Sequence, residues 1–315
     1  MDKIGVVLSG GGARGSFQVG ALEVVIKEIG LNPSHFFGVS VGALNSAMLS
    51  QANPSHDDLL KYLDVLKGVW LGIKENKDIY DYSFIPILNE LSIIFSPSLF
   101  KPNGLKKIIQ TNIDKERLFS SLRFFSCGVV DFVTGEYSEI NNRDKSFMTH
   151  IDDYILASAS MPTFFPPVNI DGKLLFDGGL RNITPLASVF KHDLDKIIVI
   201  YASPFEVSKS DASSLKIGKD YLLRTIDVLT NEIYRNDTEL AKKINLIVKL
   251  LKGTSVVNDL QEVVSYFSKY KYVEIVEVIP KRQVIENVLE FDHKKIEENI
   301  EEGKKVAREV FSLIL

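Results

Sequence analysis

Short apolar runs, each closed by glycine or a turn residue, alternate along this chain with longer segments whose apolar positions recur every third or fourth residue. The short runs predict strands over 4–8, 35–39, 124–132, 136–140, 173–176, 196–201 and 272–278. The periodic segments predict helices over about 16–28, 41–50, 56–68, 104–111, 152–160, 218–233, 238–251, 259–270 and 294–313. Runs 4–8, 124–130 and 197–201 are apolar without a break, the pattern of strands covered on both faces. Alternation of the two kinds predicts an α/β fold of three layers, α/β/α, around a mostly parallel central sheet. Phe132-Val133-Thr134-Gly135-Glu136 reads as the turn of an antiparallel hairpin at one edge.

Two stretches break the pattern. Residues 79–100 are crowded with Tyr, Phe, Ile and Leu and interrupted by Pro86 and Pro97, whereas 203–215 is a polar loop. Apolar residues of the first stretch, Phe95 and Phe100 among them, fit ordinary packing, the commoner fate of such side chains. They also fit a cap over an apolar ligand pocket.

Composition acts mainly by exclusion. A 45% apolar and 25% charged chain has the make-up of a soluble globular protein with a sizeable core. Its 37 basic and 41 acidic side chains leave a formal charge of −4 and no basic stripe, so no nucleic-acid partner is expected. The single cysteine, Cys127, excludes intramolecular disulfides and cysteine-rich zinc sites. The N-terminal residues enter a strand-like run without the basic and long apolar regions of a signal peptide, and no stretch approaches a membrane span. The expected location is the cytoplasm; export by a dedicated secretion machine would leave the same sequence.

Chemistry concentrates in three glycine-containing blocks. Gly38-Val39-Ser40-Val41-Gly42 follows a predicted strand and opens a predicted helix, the context of a nucleophile elbow. There Ser40 sits on a sharp turn, and Gly38 and Gly42 avoid collision with the adjoining helix and strand. Ser9-Gly10-Gly11-Gly12-Ala13-Arg14-Gly15 also joins a strand to a helix. Its glycines let backbone N–H groups converge, as an oxyanion hole or a phosphate site requires. Gly10, Gly12 and Gly15 fit the dinucleotide fingerprint as well, although the second strand lacks the acid that would hold a ribose. Arg14, a cation near a helix start, suggests an anionic partner. The third block is Phe176-Asp177-Gly178-Gly179, an aspartate at a strand end and so expected on the carboxyl edge of the sheet. None of the five histidines is placed to serve Ser40; all five read as solvated or capping residues. Asp177, partly desolvated, is therefore the candidate base.

In order and context these blocks resemble the patatin-like phospholipases. Ala157-Ser158-Ala159-Ser160-Met161-Pro162 with Phe165-Pro166-Pro167, and Asn182 and Pro185 after the aspartate, are similar to the same family. The likeness covers residues 4–202, fades through 203–270, and returns at Leu289-Glu290-Phe291-Asp292 and Gly303. It implies one domain over 1–315, with a catalytic core at 4–202 and a helical extension with a late strand at 203–315. It implies Ser40 as nucleophile, Asp177 as its base, and Gly10, Gly11, Gly12 and Arg14 as the oxyanion loop. Gly15, Gly38, Gly42, Gly178 and Gly179 would support those motifs. The implied substrates are acyl esters of phospholipids or lysophospholipids, met in transient contact with a membrane surface, with no metal or organic cofactor. Two other readings stand beside this one: a dinucleotide-binding oxidoreductase using Gly10 to Gly15, and a catalytically silent binding module of the same fold.

Overall fold

The computed structural model describes residues 3–83, 98–206, 218–251, 265–267 and 270–314. The strands are β1 (Ile4–Leu8), β2 (His35–Gly38), β3 (Asp81–Tyr82), β4 (Phe100–Lys101) and β5 (Phe124–Asp131). They continue with β6 (Tyr137–Asn141), β7 (Val168–Ile170), β8 (Lys173–Asp177), β9 (Lys196–Ile200) and β10 (Glu274–Val278). β3 and β4 form a two-residue ribbon; the other strands form one sheet in the order β10-β9-β1-β2-β5-β8-β7, with β6 also bonded to β5. From β10 to β5 every pairing is parallel, and the pairings of β5 with β6, β5 with β8 and β7 with β8 are antiparallel. The expected hairpin is the β5–β6 connection.

Uninterrupted apolar strands are explained by two cores, one on each face. Val6 and Leu8 of β1 and Ile198 and Ile200 of β9 enter one core, whereas Val7, Ile197 and Val199 enter the other. The helices Ser16–Leu22, Val41–Ser50, His56–Gly72 and His293–Ser312 cover the first face. The short helix Leu186–Val189 and the latter half of the helix Gly218–Leu251 cover the second. That long helix meets the first core with Leu222, Leu223 and Ile226 and the second with Tyr234 and Ala241, so it passes from one face to the other.

The long helix differs from the sequence expectation of two shorter ones. The polar stretch around 234–238 that suggested a break is helical, because its polar side chains hydrogen-bond to the segments that follow β8 and β9 instead of ending the helix. Thr238 shares a 3.0 Å hydrogen bond with the Tyr201 hydroxyl, and Asp237 accepts N–H groups from Ile183 and Thr184 at 3.0 and 3.3 Å. The helix expected at 16–28 turns from α to π geometry at Glu23–Glu28. Strand β7 had no sequence signal of its own. Of the proposed cap at 79–100, residues 84–97, Phe95 included, lie outside the described residues, as does most of the loop at 203–215 and of the helix expected at 259–270. The described ends of the cap favour packing: Phe100 is buried and stacks on Tyr80 at 4.3 Å and on Phe164 at 6.3 Å.

The helices Ser16–Leu22 and His293–Ser312 pack closely, and Gly303 is where they touch. A Cβ built there would stand 2.1 Å from the Phe17 carbonyl oxygen, a contact only displacement of a helix could relieve. Gly303→Ala should therefore cost about 1–3 kcal/mol, as overpacking does. Urea denaturation checks this, and a stability within about 0.5 kcal/mol of the parent would show that the two helices separate freely.

Candidate active site

β2 hands the chain to the helix Val41–Ser50 through Ser40, a non-glycine residue at φ 57° and ψ −128°. Such a backbone is disfavoured by side-chain crowding and persists only where its surroundings impose it. The imposing groups are carbonyls. A Cβ on Gly38 would stand 2.1 Å from the Gly42 oxygen, and one on Gly42 the same distance from the Leu8 oxygen. The Ser40 N–H donates to Ser158 Oγ at 3.1 Å. Two residues later the Ser160 carbonyl accepts the Asp177 N–H at 2.9 Å. The block from Ala157 to Pro162 thus braces both Ser40 and Asp177.

Asp177 arrives by a different route from the one its sequence suggested. β8 runs antiparallel to β5, so Asp177, which ends its strand as expected, reaches the carboxyl edge of the parallel strands from the opposite direction. It lies opposite Val129, two residues beyond Cys127, which pairs with Gly38, so it stands level with Ser40. Asp177 is only 3% exposed. Its Oδ1 accepts the Gly179 N–H at 2.7 Å. Burial pushes its carboxyl up to about 7, against the opposing pull of the neighbouring Ser40 hydroxyl and of the Gly179 N–H. The desolvation is complete where the sequence suggested it would be partial.

The glycine loop lies against Ser40: a Cβ on Gly10 would be 3.2 Å from Ser40 Cβ. Its three expected donors are not equivalent. The Gly10 N–H donates to the Ile183 carbonyl at 3.0 Å and is occupied. The N–H groups of Gly11 and Gly12 meet no acceptor among the described residues, and both glycines have positive φ. Arg14 lines the same cavity, but its donors go elsewhere: to the carbonyls of Ile285 and Glu286, to Ser203, and to Asp227 at 3.1 Å. The anionic partner expected for it is therefore Asp227 of the long helix. Gly15 packs on Val41, and Gly178 on the Gly128 carbonyl.

Ser40, Asp177, Gly10, Gly11 and Gly12 line one cavity of about 600 Å³. Its walls are apolar: Leu44, Met48, Leu66 and Trp70 on one side, Leu222, Ile226, Leu229 and Ile233 of the long helix on the other. Ile79 is the described residue of the expected cap that reaches it. Sequence reasoning missed the long-helix wall, although the apolar spacing at 222, 226, 229 and 233 is a helical stripe. No histidine is among the cavity's lining residues. His35 and His192 are not the solvated residues expected; they pack edge to face at 5.3 Å beside Phe37 and Phe124, and desolvation lowers both.

Comparison with known proteins yields one family model, patatin-like phospholipase, matching residues 6–190. An uncharacterized NTE family protein of Mycobacterium bovis is 28% identical over 62% of this chain and 29% of its own length. Patatin-like phospholipase domain-containing protein 7 of Mus musculus is 28% identical over 58% of this chain and 12% of its own length. Lysophospholipase nte1 of Aspergillus terreus is 25% identical over 58% and 11%. The chain thus covers less than a third of the length of each of these relatives. The crystal structure of VipD from Legionella pneumophila aligns at a TM-score of 0.46 and 13% identity over 99% of this chain and 67% of that one.

The raised Asp177 carboxyl makes a stability prediction independent of any activity. A folded pKa above the unfolded value favours the native state at low pH, and that contribution is lost as pH rises from about 4 through about 7. Asp177→Asn, which has no charge to desolvate, should be more stable than the parent at pH 8. The gap should close as pH falls toward 4. Thermal melts across that range measure it, and a gap independent of pH would remove the desolvated carboxylate.

Proposed function

The chain belongs to the patatin-like phospholipase family, and on that premise we propose that it is a serine acyl hydrolase with a Ser40–Asp177 dyad, cleaving acyl esters of phospholipids or lysophospholipids. The observation that carries this reading is a serine beside a buried carboxylate and two glycine N–H groups that meet no acceptor among the described residues, all lining one apolar cavity. Asp177 accepts the Ser40 proton as the hydroxyl oxygen attacks the ester carbonyl. The resulting oxyanion faces the N–H groups of Gly11 and Gly12, which are worth most when that charge develops. Collapse breaks the ester C–O bond, and the proton on Asp177 passes to the departing alcohol. The acyl-Ser40 ester then meets water, which gives a proton to Asp177 as it attacks the carbonyl; the fatty acid departs as that proton passes from Asp177 to the Ser40 oxygen. An ordinary carboxylate is too weak a base for this, and one titrating near neutrality is suited to it.

The substrate class is supported by the cavity, which has a polar floor and long apolar walls. A relative named as a lysophospholipase supports it further. Leu180 and Leu229 line the cavity while remaining 42% and 58% exposed, which supports contact between its mouth and a lipid surface. No helix among the described residues is long and apolar enough to cross a membrane. A cytoplasmic location belongs to the same proposal, and cell fractionation tests it.

Hydrolysis of a panel from short p-nitrophenyl esters to phospholipid vesicles is the test. Ser40→Ala and Asp177→Asn should each lower kcat by roughly 10⁴-fold or more while the protein stays folded, because the two act as one unit. Near-normal turnover in either variant overturns the dyad. In the parent, kcat/KM should rise with pH through a single ionisation near 7, since only the ionised Asp177 accepts the proton. A limb near pH 4 would mean that an exposed carboxylate is the base.

A further inference from the structure

The long helix does more than wall the cavity. Its Tyr234 hydroxyl, fully enclosed, donates to the Gly10 carbonyl and is 2.8 Å from Ser9 Oγ. Ser9 Oγ in turn accepts the Ala202 N–H at 2.9 Å. The Ser9 hydroxyl also donates to the Gly10 carbonyl, at 3.2 Å, so both hydroxyls converge on that carbonyl and the Ala202 N–H holds Ser9 in place. Burial raises the Tyr234 hydroxyl to about 12, so it keeps its proton across the working range of pH.

The Gly10 carbonyl belongs to the same planar unit as the Gly11 N–H. In a trans peptide the two point in opposite directions, so fixing one fixes the other. Both glycines flanking that peptide lack a side chain to hold it, and Gly11 has φ 156°, where only glycine rests easily. Left to itself the 10–11 peptide could flip. The Gly10 N–H, held by Ile183, pins the residue before it and leaves this peptide to be set from the carbonyl side. We propose that Tyr234 is a positioning residue for ester hydrolysis: by holding the Gly10 carbonyl it aims the Gly11 N–H at the oxygen of the reacting acyl group. Ser9, in contact with both the Gly10 carbonyl and the Tyr234 hydroxyl, supports the same hold.

This inference rests on the hydrolase reading, and one experiment separates the two. The rate at which a fluorophosphonate labels Ser40 is measured alongside kcat and KM for a short p-nitrophenyl ester. The proteins are the parent, Tyr234→Phe, Ser9→Ala, the double variant, and Thr238→Val. Tyr234→Phe should lower kcat and the labelling rate roughly 10- to 100-fold, short of the loss for removing an oxyanion donor outright. KM should stay unchanged. Ser9→Ala should give a smaller loss of the same kind, and the double variant should lose at least as much as Tyr234→Phe, since both hydroxyls hold one carbonyl. Thr238→Val, on the same helix as Tyr234, removes only a bond to the Tyr201 hydroxyl, which keeps Glu277, and should change stability and leave kcat alone. A Tyr234→Phe protein labelled at the parental rate overturns the inference and spares the hydrolase. If Tyr234→Phe does not fold, an undiminished kcat in Ser9→Ala overturns it instead. A parent never labelled at Ser40 overturns the hydrolase reading and this inference together.

Discussion

Leu8 pairs with Gly38 across β1 and β2, and with Ile200 across β1 and β9, so three parallel strands end level. What leaves those ends has nowhere to go but one small region. The glycine loop, the elbow and the turn at Ala202 and Ser203 must share it, which is why carbonyl oxygens occupy the space where side chains at 38 and 42 would stand. Ser40 takes its disfavoured backbone because the chain must reverse in that space. Strain of this kind is of order 1–3 kcal/mol. It is sustained by the register of the sheet, whose two apolar cores hold the strands from both sides.

Level strand ends explain proximity; they do not explain why a carboxylate here would act as a base. That depends on what is kept away from it. Asp177 feels burial, the Gly179 N–H and the neighbouring Ser40 hydroxyl, with no cationic side chain acting on it among the described residues. A guanidinium alongside would favour the ionised form and lower its proton affinity. Arg14, buried and in the neighbouring loop, is turned to Asp227 and to the carbonyls of the 285–286 turn. Its contribution is mechanical: it ties the loop to two distant parts of the chain. Burying a carboxylate without a cation destabilises the fold, in keeping with the general conflict between stability and active-site function.

The parts of this arrangement set by local backbone geometry were legible in the sequence. Glycines spaced around Ser40, apolar runs bounded by turns, and an Asp-Gly-Gly step each mark a position where few residue types fit. Asp177 was legible as a residue at a strand end; the direction of that strand was not, because nothing in Lys173 to Phe176 says that β8 runs against its neighbour. The long helix was hardest to read. Tyr234, Asp237 and Thr238 look like an interruption because their polarity suggests solvent, whereas their partners are groups in the loops that leave the strands, more than 30 residues away in the chain. Likewise Gly10 reads like Gly11 and Gly12, and only the Ile183 carbonyl, opposite it in space, distinguishes them.

The glycine loop is also held from the far end of the polypeptide. The Val288 carbonyl accepts the Ala13 N–H at 2.8 Å and closes over Gly12, while Asn299 donates to the Arg14 carbonyl at 3.1 Å. A chain growing from its N-terminus makes Ser40 and Asp177 long before it makes these residues. On the ribosome, then, Ser40 and Asp177 stand beside a loop that takes its final shape only once Val288 and Asn299 have been added. If the dyad reading holds, a nascent chain short of these residues carries the two reacting side chains without the loop geometry that hydrolysis would need.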